Sequence, residues 1–125
     1  MKTVAMDICN GLMATSIKEL AQRAADLAVC LIRSCDVVSE CMAVSADIAL
    51  LEVSFQTGTS VEDRTEQARA LHQRLPGCKI ILLCDENSTP EQARKVAVAK
   101  KDGWIDDFLF TSVGENYLSA VLQSI

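Results

Sequence analysis

Five short runs of nearly unbroken apolar residues limit what this chain can fold into more than any other feature: Thr3 to Ile8, Val29 to Ile32, Ile48 to Val53, Ile80 to Cys84 and Phe108 to Phe110. Continuous Ile, Leu and Val, without strict alternation, is what a parallel strand covered on both faces requires, whereas a strand with one wet face alternates. The segments between and after the runs repeat apolar residues three or four apart: Leu12, Ile17, Leu20, Ala24 and Leu27; Val61, Ala68, Leu71 and Leu75; Ala93, Val96 and Ala97; Tyr117, Leu118, Val121, Leu122 and Ile125. Each set makes one helical stripe, and Val37 to Val44 supplies a shorter second helix. Helix starts are signalled at Thr89-Pro90-Glu91-Gln92, where Thr caps and Pro suits the first turn, and at Ser60 with Glu62 and Asp63 behind it. A β-α order repeated five times has one economical solution, a doubly wound α/β domain with a five-stranded parallel sheet, right-handed crossovers and helices on both faces. No linker or repeat interrupts the 125 residues, so residues 1–125 are read as a single domain.

Composition removes several function classes. Half the residues are hydrophobic and 23% are charged, which excludes a disordered chain. The net charge of −5, with no run of Lys and Arg, disfavours direct nucleic-acid binding. Cysteines 9, 30, 35, 41, 78 and 84 lie mostly inside apolar stretches and read as small buried hydrophobes rather than disulfide partners. No CxxC occurs, and His72 has no nearby Cys or His, so no zinc site is expected and His72 reads as a solvent-facing helix residue. Asp7 interrupts what would have to be a signal-peptide apolar run, and no apolar stretch approaches the ~20 residues of a membrane span. The expected address is the cytoplasm, with reduced thiols and no membrane contact.

In open parallel sheets, ligands gather beyond the carboxyl ends of the strands, near the point where strand order reverses. That rule selects Asp7, Glu52, Cys84, Asp85 and Thr111, which end four different runs and are expected to converge at one rim.

These residues carry a resemblance that covers the whole chain. Ala46-Asp47-Ile48-Ala49-Leu50-Leu51-Glu52 resembles the pattern proline-aspartate-apolar-apolar-leucine-leucine-aspartate of response-regulator receiver domains, the CheY-like family, with Glu52 at the phosphoacceptor position. Lys79-Ile80-Ile81-Leu82-Leu83-Cys84 is similar to the fourth receiver strand, which ordinarily ends in Thr or Ser. Ile105-Asp106-Asp107-Phe108-Leu109-Phe110-Thr111-Ser112-Val113 resembles the fifth-strand pattern, with Thr111 for the lysine and Ser112 for the proline. Val4-Ala5-Met6-Asp7-Ile8 is similar to the first strand but keeps one of its two acids, and Gly103 falls one residue early. The resemblance implies a flavodoxin-like, receiver-like fold.

It also implies a function and shows where that function is impaired. A receiver phosphorylates itself by holding Mg²⁺ with carboxylates and a backbone carbonyl, for which Ser54 holds the equivalent place, and by balancing charge with a lysine. Glu52 moves its carboxylate about one methylene outward, which spoils near-attack geometry, and Ile8 removes a hard oxygen ligand. Thr111 supplies no ammonium and Cys84 only a weak S–H donor at the two switch positions. Weak or absent Mg²⁺ binding is therefore expected, and Asp7 with Glu52 forms a vestigial acidic pocket with no cofactor. Glu52 either imitates the charge of a phosphoaspartate or is simply solvated or hydrogen-bonded; Asp106 and Asp107 read as loop or surface residues.

In receivers the fourth helix, fifth strand and fifth helix often form a dimer or partner face, which marks Lys95, Lys101, Trp104, Phe110 and Tyr117. The expected role is thus an atypical, non-enzymatic receiver of a two-component phosphorelay, acting by protein contacts on a transcription module. Ile125 falls where a receiver usually stops, which suits a stand-alone protein or one continuing into a DNA-reading part. The competing reading is a small flavodoxin-like or thiol-dependent enzyme using Cys9 or Cys84 at a strand end. It lacks a phosphate loop, because Cys9-Asn10-Gly11 is too sparse.

Overall fold

The computed structural model of the chain describes residues 2–8, 15–16, 18–19, 27–32, 36–53, 61–84 and 90–110, with the backbone alone at Leu27, Pro90, Gln92, Ala93 and Phe110. In chain order the elements are β1 (Lys2–Asp7), β2 (Leu27–Leu31), α1 (Val37–Val44), β3 (Ile48–Val53), α2 (Val61–Arg74), β4 (Lys79–Cys84), α3 (Pro90–Lys101) and β5 (Asp107–Phe110). The helices α1, α2 and α3 correspond to the second, third and fourth helical segments of the sequence. The segments expected around Leu12 to Ala24 and Tyr117 to Ile125 lie outside the described elements, as do the caps Ser60 and Thr89.

The strands form one sheet in the order β2-β1-β3-β4-β5, and every pairing is parallel. This is the doubly wound arrangement in which chain order reverses between β1 and β3. Ala5, Ala49, Leu51, Val53, Ile80, Leu82 and Cys84 pack in one core cluster with residues of α1, α2 and α3. Val4, Met6, Ile48, Leu50, Ile81 and Leu83 alternate with them along the strands and are also buried to 1% exposure or less, so both faces of the sheet are closed to water. Continuous apolar strands follow from that double burial.

The strand starts are held by two aspartates in matching positions. The Asp47 N–H donates to the Thr3 carbonyl at 2.8 Å while its Oδ2 accepts from the Thr3 N–H at 2.9 Å. Asp106 repeats the arrangement on Ile80, with both bonds at 2.8 Å. Each aspartate adds one rung to the ladder before its strand begins. Asp106 is exposed and precedes β5, as a loop or surface residue does, while carrying this rung; Asp107 instead opens β5 and bonds Lys100 at 3.2 Å. Hydrogen bonds to charged acceptors contribute more than neutral ones, so Asp106→Ala is expected to lower stability by about 1–2 kcal/mol, with only part of it restored in Asp106→Asn, which keeps the acceptor oxygen without its charge, as read by urea denaturation.

Helix ends explain two further departures from the sequence reading. Gly103 has φ +82°, the Trp104 N–H reaches the Ala99 carbonyl and the Gly103 N–H that of Lys100, which is a Schellman stop for α3. The position needs a left-handed residue, so Gly103 is placed by the helix end. The Trp104 carbonyl then accepts from His72 Nε2 at 3.0 Å. A carbonyl only accepts, so Nε2 carries the proton. His72 is half-buried and bonded to that turn, and is not the solvent-facing residue expected. Leu27, placed in a helical stripe by its spacing, starts β2 beside Lys2, because an edge strand pairs on one side and its apolar residues fit either period. In α3 the inward residues are Val96 and Ala99, while Ala97 is exposed. No helix among the described residues is long and apolar enough to cross a membrane.

Candidate functional site

The carboxyl ends of β1, β3 and β4 lie side by side, with Asp7 paired to Leu51 and Val53 to Cys84. Three residues selected from the sequence, Asp7, Glu52 and Cys84, thus share one rim; Thr111, Asp85 and Ser54 fall outside the described residues. The three side chains do not share a face. Strand alternation sets Asp7 with Leu51, and Cys84 with Val53, toward the helices α1 to α3, while Glu52 follows Ile48 and Leu50 to the opposite side. Glu52 is 7% exposed, so its carboxylate is not a solvated one.

The residue that organises the rim was not selected from the sequence. Arg64, in the first turn of α2, is 2% exposed. Its Nη1 donates to Asp7 Oδ2 and to Gln67 Oε1, and its Nε to the Glu52 carbonyl, each at 2.9 Å. One guanidinium therefore ties β1, β3 and α2 together, and the planar fork of Arg suits three fixed acceptors. A signal was present in the sequence. Val61, Arg64, Ala68 and Leu71 are the buried residues of α2, so Arg64 fills the vacant place in the apolar stripe at helical spacing.

A divalent cation at this rim would need several hard oxygens, usually carboxylates. Asp7 is already ion-paired to Arg64, Ile8 is apolar, and among the described residues no three His, Cys, Asp or Glu side chains converge. The residues present do not fit a Mg²⁺ site. Cys84 is buried, and the loss of hydration pushes its thiol up to about 11. It is a neutral, weakly polar group at neutral pH, which removes the warrant for a reactive nucleophile there. Cys9 lies outside the described residues.

The residues marked for a partner face divide into two places. Lys95 pairs with Glu62 at 2.7 Å across α3 and α2, and Arg69 lies over the Trp104 ring at 4.4 Å. Both belong to a groove of about 470 Å³ between these helices, with Val61, Thr65 and Val98 also on its walls. Lys101 is exposed at the end of α3 and does not line the groove. The side chain of Phe110 and the whole of Tyr117 lie outside the described residues.

No protein-family model and no curated protein sequence matches the chain. Solved structures do. The chain is similar to the signal receiver domain of a putative Luxo repressor protein from Vibrio parahaemolyticus, with a TM-score of 0.76, 10% identity, and coverage of 98% of this chain and 88% of that one. A LuxR-family DNA-binding response regulator from Staphylococcus aureus gives a TM-score of 0.75 and 10% identity over 99% of this chain and 98% of that chain. An orphan response regulator of H. pylori gives 0.74 and 12% identity over 98% and 94%. Together with the strand order β2-β1-β3-β4-β5, these likenesses show that the chain has the CheY-like fold of response-regulator receiver domains.

Proposed function

We propose that the chain is an atypical receiver-type signalling domain that works through protein contacts, with phosphoryl uptake impaired or lost. The observation that carries this reading is the ion pair of Asp7 with the buried Arg64, which engages the one acid that remains at the end of β1. Glu52 holds the phosphoacceptor position but reaches about one methylene too far for in-line attack. Cys84 presents a protonated thiol at one switch position. No charge needed to grip a metal-bound phosphoryl group is left idle at the described part of the rim.

In this reading the domain acts in the cytoplasm, as part or partner of a transcription regulator, singly or as a homodimer. Its acidic net charge of −5 supports contact with protein rather than with nucleic acid or a membrane surface. The groove between α2 and α3, with Val98 49% exposed and Trp104 half-buried, offers apolar contact area beside the face formed by α3 and β5. A thiol-dependent enzyme is the weaker reading, since Cys84 has no thiolate character.

Incubation with acetyl phosphate and Mg²⁺, followed by intact-mass measurement, tests the loss of phosphoacceptance. The mass is expected to stay unchanged. A stoichiometric, base-labile gain of one phosphoryl group would overturn the reading.

A further inference from the structure

Arg94, Val98 and Asp102 stand at i, i+4 and i+8 and all line the groove between α2 and α3. They lie on the flank of α3 that faces α2, whereas Lys100 turns to Asp107 of β5. The Asp102 N–H bonds the Val98 carbonyl at 2.9 Å, so the helical spacing carries through to Asp102 and the three side chains make one line of cation, apolar group and anion. Among the described residues neither Arg94 nor Asp102 forms an ion pair. Val98 between them is 49% exposed, more than any other large apolar side chain described. The α2 wall runs with the opposite polarity: Glu62 lies at the end held to Lys95, and Arg69 lies about two helical turns further on, over the Trp104 ring. Opposite charges spaced equally to either side of an exposed apolar residue are self-complementary under a two-fold axis, which brings residue i to j and j to i.

We propose that the chain forms a two-fold dimer with a second copy of itself through the α2–α3 groove, the two α3 helices crossing antiparallel about Val98. Val98 then meets Val98 of the other copy, and Arg94 meets Asp102 of the other copy twice. The same axis sets Glu62 toward Arg69 of the other copy, so the α2 walls complement each other as well. Glu66 is the acid that this axis brings near its own copy. Helices of 14 and 12 residues offer a footprint at the low end of specific interfaces, so the dimer is reversible, with a Kd on the order of 0.1 mM. The contact rests on the groove alone; its signalling role rests on the protein-contact reading above.

Sedimentation velocity on the chain from about 0.01 to 1 mM tests it, a range that brackets the expected Kd. The wild type is expected to pass from monomer to dimer and to stop there, because a two-fold contact closes on itself. Val98→Glu should weaken association by a factor of about ten or more, with the thermal midpoint kept because the side chain is exposed. Arg94→Asp and Asp102→Arg each set like charges together twice and should stay monomeric, whereas their equimolar mixture restores both pairs and should form a 1:1 dimer. Glu66→Gln should tighten the wild-type dimer. A wild type that is monomeric at the highest concentration, which leaves the groove bare or to a different protein, overturns the proposal. So does a dimer indifferent to Val98→Glu, a mixture that fails to pair, or a looser dimer in Glu66→Gln. Phosphoryl uptake by wild type would defeat the proposed function and leave this sedimentation comparison standing, so the two failures are distinguishable.

Discussion

Asp7→Ala is expected to destabilise the domain by about 3–5 kcal/mol and to lower its thermal midpoint by more than about 10 °C, in EDTA, because it strands a buried charge. The Arg64 side chain is 3% exposed while that of Asp7 is 25% exposed, so the two halves of the pair respond differently to losing a partner. Without Asp7 the guanidinium keeps its carbonyl and amide acceptors but loses the carboxylate it is ion-paired to. It cannot deprotonate and has little access to water. Without Arg64, in Arg64→Met, the Asp7 carboxylate can take up water through its exposed edge, and the apolar Met stem replaces part of the lost packing. Arg64→Met is therefore expected to be the milder single change. The double variant Asp7→Ala/Arg64→Met removes the stranded charge and is expected to be more stable than Asp7→Ala alone, a coupling that adjacent charges show and distant sites do not. Urea denaturation of the three variants checks the order. Equal losses in both single variants, or a double variant worse than Asp7→Ala, would show that the pair is not the electrostatic unit described. High salt should change the order little, since a buried pair is poorly screened.

The sheet was readable in the sequence because double burial leaves little room for polar residues away from the strand ends in β3 and β4, and the runs at Ile48 to Val53 and Ile80 to Cys84 match the observed strands to within a residue. At the sheet edge the signal weakens. β2 pairs with one neighbour only, so Leu27 satisfied a helical spacing as readily as a strand one. Strand ends put Asp7, Glu52 and Cys84 at the rim, because topology alone places them there. Which face each occupies depends on register, and a shift of one residue between β1 and β3 is enough to part Asp7 from Glu52. Arg64 arrives from a helix, so strand-end positions do not point to it. Its warning was a cation inside an apolar stripe. Asp106 was legible as a pattern residue, yet its physical task, closing a rung on Ile80, belongs to the amino end of the sheet and not to the site.

Stability is expected to fall as pH rises above about 9, and buried thiols are the cause. Cys41, Cys78 and Cys84 are free and 3% exposed or less, and loss of hydration pushes them up from 9.0 to about 11, 12 and 11. Nearby carboxylates add to the shift at Cys41, through Glu40 and Asp7, and at Cys78, through Asp106 and Asp47. Below the unfolded value both states hold the protons, and the contribution to stability is fully present. Between that value and the folded one, the unfolded chain releases thiol protons that the native state retains, so the equilibrium moves toward unfolding as pH rises. Above about 12 the native thiols ionise too and the contribution is gone. Within the window each thiol lowers stability by roughly 1.4 kcal/mol per pH unit, so three together remove several kcal/mol from a domain whose total is on the order of 5–15. Urea midpoints taken from pH 8 to pH 10.5 should show the decline, and Cys78→Ala should flatten it by about 1.4 kcal/mol per unit once its cavity cost at neutral pH is subtracted. Lysines also titrate in this range, but they are common to both proteins and cancel in the comparison. An unchanged slope in Cys78→Ala would mean that this thiol ionises as easily in the folded chain as in the unfolded one, and burial would then not be what holds its proton.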